Sequence, residues 1–133
     1  MALKRDTTDK WFSDCIRLRA NWTCEHCGAE FHGPDKAIQC AHIISRKHNV
    51  LRWCADNAVS LCGSCHATFT DSPPEFTHWL ESHLGEGHLE ILKDKKRGIL
   101  KLNKGVRKEI SDHYRLEFKR MESEGTNDLI SWN

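Results

Sequence analysis

The chain has 133 residues and a mass of 15.4 kDa, enough for one domain with an appended helical segment. Hydrophobic residues make up 38% and mean hydropathy is −0.64, so there is no apolar run long enough for a membrane span and little core material. Chains this short of core often recruit a metal, and the net charge of +1 says little until its distribution is read.

Residues 1–10 are polar and lack the apolar centre of a signal peptide, which predicts a reducing, cytoplasmic setting. There, an odd count of seven cysteines argues against a disulfide framework and for metal thiolates. Four fall in Cys-x-x-Cys pairs, Cys24 with Cys27 and Cys62 with Cys65. Cys15, Cys40 and Cys54 are left as small buried hydrophobes.

In chain order, residues 9–22 read as an amphipathic helix, with Trp11, Phe12, Cys15, Ile16, Leu18 and Trp22 recurring at spacings of three and four. Residues 22–31 read as a zinc knuckle, in which Gly28 permits the positive φ of a tight turn. The second cysteine pair follows 34 intervening residues (28–61), a longer gap than a zinc ribbon has, so something sizeable is looped out between the two. Within that gap, residues 36–43 predict a strand with Ile38, Cys40 and His42 on one face. Residues 45–55 are polar and basic without a clear period and read as a loop. Residues 58–61 predict a second strand, and Cys62 opens a short helix carrying His66.

A helix start follows at Ser72, with Pro at the first helical position and Glu75 three residues on. The stripe Phe76, Trp79, Leu80, His83 and Leu84 ends at Gly85. Residues 86–96 form a further helix. Asn103 caps the last one, with Val106, Ile110, Tyr114, Phe118 and Met121 inward and Gly125 as its stop. Residues 91–120 hold eleven Lys/Arg against four acids, a surplus of seven on one segment. Such asymmetry fits a nucleic-acid binder as well as a solvated helix face.

Hydrolysis of a phosphodiester needs a base for water, a cation at the phosphate and help for the departing 3′ oxygen. An imidazole titrating near neutrality serves as the base, and one divalent metal covers the other two. His42 at a strand end and His66 at the start of the next helix are placed to meet around a phosphate. The Asn57 amide suits the holding of loop backbone.

Cys-x-x-Cys, Ala-His-Ile-Ile-Ser-Arg, Leu-Arg-Trp-x-x-x-Asn-Ala and Leu-Cys-x-x-Cys-His together resemble the HNH (His-Me finger, ββα-metal) nucleases. More narrowly, the chain resembles the zinc-bearing phage and prophage NinG type, over roughly residues 9–84. The resemblance implies an α+β fold with a ββα-metal core stapled by a structural zinc on Cys24, Cys27, Cys62 and Cys65. It implies His42 as general base, Asn57 as loop holder and His66 as ligand of a catalytic Mg²⁺, Mn²⁺ or other divalent metal. Arg46 falls at a phosphate-contacting position, and Lys47 and Arg52 join it as expected DNA contacts. The expected organisation is a nuclease domain over 1–85 and a basic helical extension over 86–133. The expected partner is DNA, the setting a bacterial host cell, and the state a monomer, with a homodimer through the last helix left open.

One position departs from the pattern. Ala41 stands where many HNH nucleases place Asp or His as a second metal ligand, and it coordinates nothing. Cys40, His48 and Asp56 remain as candidates for that role. The departure also keeps alive a rival reading, a catalytically inactive zinc module that binds DNA or a protein partner.

Overall fold

The structure, a computed structural model, describes residues 4–133. It is an α+β arrangement of six helices and one two-stranded sheet among the described residues. Helix α1 spans Thr7–Arg19, starting earlier and ending sooner than the apolar stripe suggested. Asp6 and Asp9 explain the early start, each carboxylate accepting the other's backbone N–H in a capping box at 3.0 Å. Asn21 and Trp22, at φ 55° and 56°, explain the early stop by turning the chain off the helix axis. Asn127 donates from its amide to the carbonyls of Leu18 and Arg19, covering that end.

Strands β1 (Ile38–His42) and β2 (Ala58–Cys62) pair antiparallel, with His42 opposite Ala58 and Ile38 opposite Cys62. The segment between them is more ordered than its sequence suggested. It contains a short helix α2 (Asn49–Arg52) and a 3₁₀ turn over Ala55–Asn57. Beyond β2 the chain enters α3 (Gly63–Asp71) directly, and the Gly63 N–H bonds to the Ala37 carbonyl at 2.9 Å, continuing the pairing into the helix start. Helices α4 (Pro73–Leu84), α5 (Glu86–Lys96) and α6 (Lys104–Glu124) complete the chain. Ser72 does not cap α4 through its side chain as expected; its N–H closes α3 on the Thr68 carbonyl at 3.0 Å.

Two apolar clusters flank the hairpin. In one, Phe12, Cys15 and Ile16 of α1 pack with Trp53, Ala58, Ile110 and Tyr114. Helix α6 therefore shares its core with α1, because Ile110, Tyr114 and Met121 recur on one helical face. The other cluster joins Trp22, Ile38, Ala41, Val59 and Leu61 to Phe69 and Leu80. Tyr114 ties the first cluster to the inter-strand segment, donating its hydroxyl to the Trp53 carbonyl and accepting the Trp132 N–H at 3.1 Å. Residues 126–133 dock along this side: the Ser131 hydroxyl accepts the Ala55 N–H at 2.9 Å, and the Asn133 amide donates to the Val50 carbonyl at 2.7 Å. No helix among the described residues is long and apolar enough to cross a membrane.

Candidate active site and metal centre

The four cysteines of the two Cys-x-x-Cys pairs converge. Their sulfurs all lie within 4.8 Å of one another, and the Sγ atoms of Cys27 and Cys62 are 3.8 Å apart. A disulfide would need about 2.05 Å. Tetrahedral zinc with bonds of about 2.3 Å sets its sulfurs about 3.8 Å apart, so the donor set fits a metal such as zinc. The local fold explains the convergence. Gly28, at φ 77°, turns the first pair back on itself, and the Cys27 N–H points at the Cys24 sulfur at 3.5 Å. The second pair sits on the first turn of α3, where the Cys62 sulfur accepts the Cys65 N–H at 3.4 Å. Glu25 clips this knuckle to the outer edge of β2, its N–H bonding to the Ser60 carbonyl at 2.8 Å and its carboxylate accepting the Ser60 N–H at 2.6 Å.

Electrostatics favour a cation there. Burial alone would raise the Cys24 thiol, but the backbone N–H groups of Cys27 and Cys62 outweigh it and bring the thiol down to about 7. Cys65 is pushed far up, first by burial and then by the neighbouring sulfurs. Four thiolates this close need a positive charge between them.

The histidines open onto a separate cleft. It measures 690 Å³ and lies between α1, β1 and the segment after β1, with His42, His66, Gln39 and Arg46 in its wall. The His42 ring stacks on Phe12, with centroids 5.8 Å apart and 24° between the planes. Its Nε2 bonds to the Arg52 carbonyl at 2.9 Å. A carbonyl only accepts, so Nε2 carries the hydrogen and Nδ1 keeps its lone pair. Burial lowers the imidazole's proton affinity, the bond to Arg52 opposes this, and the nearby Arg46 charge lowers it further; the net shift is downward. His42 is therefore neutral at neutral pH.

Asn57 is completely buried and holds this loop on three sides. Its carbonyl oxygen accepts the Ile44 N–H at 2.9 Å, and its amide donates to the carbonyls of Ile44 at 2.9 Å and Leu51 at 3.2 Å. His66, on the first turn of α3, bonds through Nδ1 to the Gln39 Oε1 at 2.7 Å, and burial lowers its proton affinity. An amide oxygen only accepts, so Nδ1 carries the hydrogen and Nε2 keeps its lone pair.

The expected DNA contacts separate. Arg46 lines the cleft, while Lys47 is exposed and lies outside its wall. Arg52 is a correction: it is 5% exposed and grips Asp9 through two bonds, at 3.0 and 2.5 Å. Burial works against the Asp9 carboxylate, but the Arg52 bonds, the Asp6 N–H and Trp53 hold it below its ordinary value. Arg52 thus braces the loop rather than meeting a ligand. Arg5 and Lys36, which sequence reasoning did not single out, line the cleft instead. Neither belongs to a motif, and only the fold brings them beside His42.

A protein-held catalytic metal finds few donors. Ala41 is 1% exposed and packed into the second cluster. Of the alternatives, His48 and Asp56 do not line the cleft, whereas Cys40 does, with its thiol pushed up to about 12 by burial. Asp9 is consumed by Arg52 and Trp53. Among the described residues, the four cysteines are the one group of three or more His, Cys, Asp or Glu side chains placed to hold a metal.

The basic segment is partly paired in place. Lys93, Arg97, Lys108, Arg115 and Arg120 each pair with an acid one helical turn away, and Arg107 pairs with Asp6. Lys96, Lys101, Lys104 and Lys119 stand exposed. Comparison with protein-family models, with curated proteins and with solved structures finds no match.

Proposed function

We propose that the chain is a metal-dependent DNA endonuclease of the HNH type, its hairpin and α3 forming a ββα-metal core. The single observation behind this reading is that His42 and His66 open onto one cleft with cationic walls, each ring oriented by a bond to its other nitrogen. In the proposed reaction, His42 Nδ1 takes a proton from water as the oxygen attacks phosphorus. The bond to the 3′ oxygen breaks, and that oxygen takes up a proton from solvent. Arg5, Lys36 and Arg46 supply positive charge for the phosphate backbone, and exposed lysines of α5 and α6 add salt-sensitive affinity.

His66 Nε2 would be the protein's ligand to a divalent ion beside the bound phosphate, since the cleft wall offers few other donors. Such an ion would neutralise charge on the phosphate and stabilise the leaving oxygen. The buried Ala41 favours one second reading, a zinc module that binds DNA or a protein partner without cleaving.

Incubating the zinc-loaded chain with supercoiled plasmid, with and without added magnesium, manganese or nickel, tests the proposal. It expects nicked or linear DNA only where metal is added, and no turnover of an RNA control. Intact plasmid under every metal, with DNA binding retained, would favour the zinc module.

A further inference from the structure

We propose that Gln39 is a positioning residue that locks His66 in its Nδ1–H tautomer and so presents Nε2 to the cleft; this rests on the nuclease reading for its purpose. Gln39 lies on β1 opposite Leu61, three residues before His42. Because the Gly63 N–H bonds to the Ala37 carbonyl, the first turn of α3 is docked against the start of β1, which brings His66 to Gln39. The Gln39 Oε1 meets His66 Nδ1 at 2.7 Å.

The amide has its own orienting partner. Its Nε2 donates to the Lys36 carbonyl at 3.5 Å, which turns the oxygen toward His66. An oxygen in that place accepts from Nδ1–H, so the proton of the neutral ring stays on Nδ1. Unconstrained imidazole favours the other tautomer, which would block Nε2 with a hydrogen. Partners of this kind commonly fix the tautomer of metal-binding histidines. With Ala41 supplying no ligand and His42 Nδ1 assigned to the base, the orientation of His66 matters correspondingly more.

The test is a long-range ¹H–¹⁵N spectrum of the His66 ring in the full, zinc-loaded chain at about pH 8, well above the ordinary imidazole value. The unmodified chain should show His66 as Nδ1–H. Gln39→Met, similar in length but without an acceptor, should shift it to Nε2–H, and Gln39→Glu, which keeps an acceptor, should restore Nδ1–H. Zinc content, measured on each variant, confirms the fold, and Gln39→Ala serves as a second acceptor-free variant. Manganese binding in the presence of a short DNA duplex, read by broadening of the His66 ring protons, should weaken about tenfold in Gln39→Met. A His66 that stays Nδ1–H in a folded acceptor-free variant would overturn the proposal. Absence of manganese binding to the unmodified chain with DNA bound would count against the nuclease reading and leave the tautomer result standing.

Discussion

His42 donates from Nε2 to the backbone carbonyl of Arg52 at 2.9 Å, while the Arg52 side chain grips Asp9 of α1. One residue therefore anchors the inter-strand segment to the N-terminal helix and orients the proposed base. The Asp9 carboxylate also accepts the Trp53 indole N–H at 3.0 Å, so the anchor spans two consecutive loop residues.

Arg52→Ala removes one member of a buried, hydrogen-bonded pair and should cost about 3–5 kcal/mol of stability. The loss should appear in urea unfolding. DNA affinity measured against salt separates this bracing role from phosphate contact. Arg46→Ala should lower the slope of log affinity by about one, whereas Arg52→Ala, under conditions where it stays folded, should leave the slope unchanged.

Asn57→Ala strands the N–H and carbonyl of Ile44 and takes one of two donors from the Leu51 carbonyl, which keeps the Cys54 N–H. The expected cost is about 2–4 kcal/mol by denaturant unfolding, because buried groups left unpaired carry their desolvation penalty. Cleavage should fall as well, since the loop presenting the Arg52 carbonyl to His42 loosens.

Because burial lowers the His42 proton affinity in the folded chain, the ring should take up its proton at a lower pH than an ordinary imidazole, whose value is 6.5. Cleavage rate should therefore rise with pH in the acid range and level off at a lower pH than an ordinary imidazole base would give. The same shift has a stability consequence. The unfolded chain binds the extra proton first, so this contribution is complete above 6.5 and is lost as pH falls toward the lower folded value. His42→Ala should flatten that part of the pH dependence in thermal melts.

Removing the metal from the four-cysteine centre should unfold the region around it. In zinc-finger peptides structural zinc contributes about 10–16 kcal/mol, well beyond the stability of a chain this size. A strong chelator, or Cys62→Ser, should abolish the cooperative melt followed by circular dichroism. Survival of that melt would mean that the packing of Trp22, Ile38 and Leu61 suffices alone.

The helices were legible where apolar spacing and caps agreed, as at Asn103 and Gly125 bounding α6. The cysteine pairs announced their cluster by spacing, since two Cys-x-x-Cys turns together supply four thiols for one tetrahedral metal. The segment between the strands was harder to read. Its order comes from contacts distant in sequence, such as Asp9 with Arg52 and Ser131 with Ala55, which leave no local period. For the same reason Arg52 read as a surface cation: a basic residue in a polar stretch shows no sign of a buried carboxylate 43 positions earlier. Gln39, Arg5 and Lys36 sit in no motif, and only the closing of α1 and α3 around β1 gives them a place.

The most direct measurement is the nicking rate of supercoiled plasmid by His42→Ala against the unmodified chain, with added manganese and with zinc content determined on both. The account predicts a loss of at least about 10²-fold with zinc retained and DNA binding intact. An undiminished rate in a zinc-loaded His42→Ala would contradict it, since cleavage would then have another base.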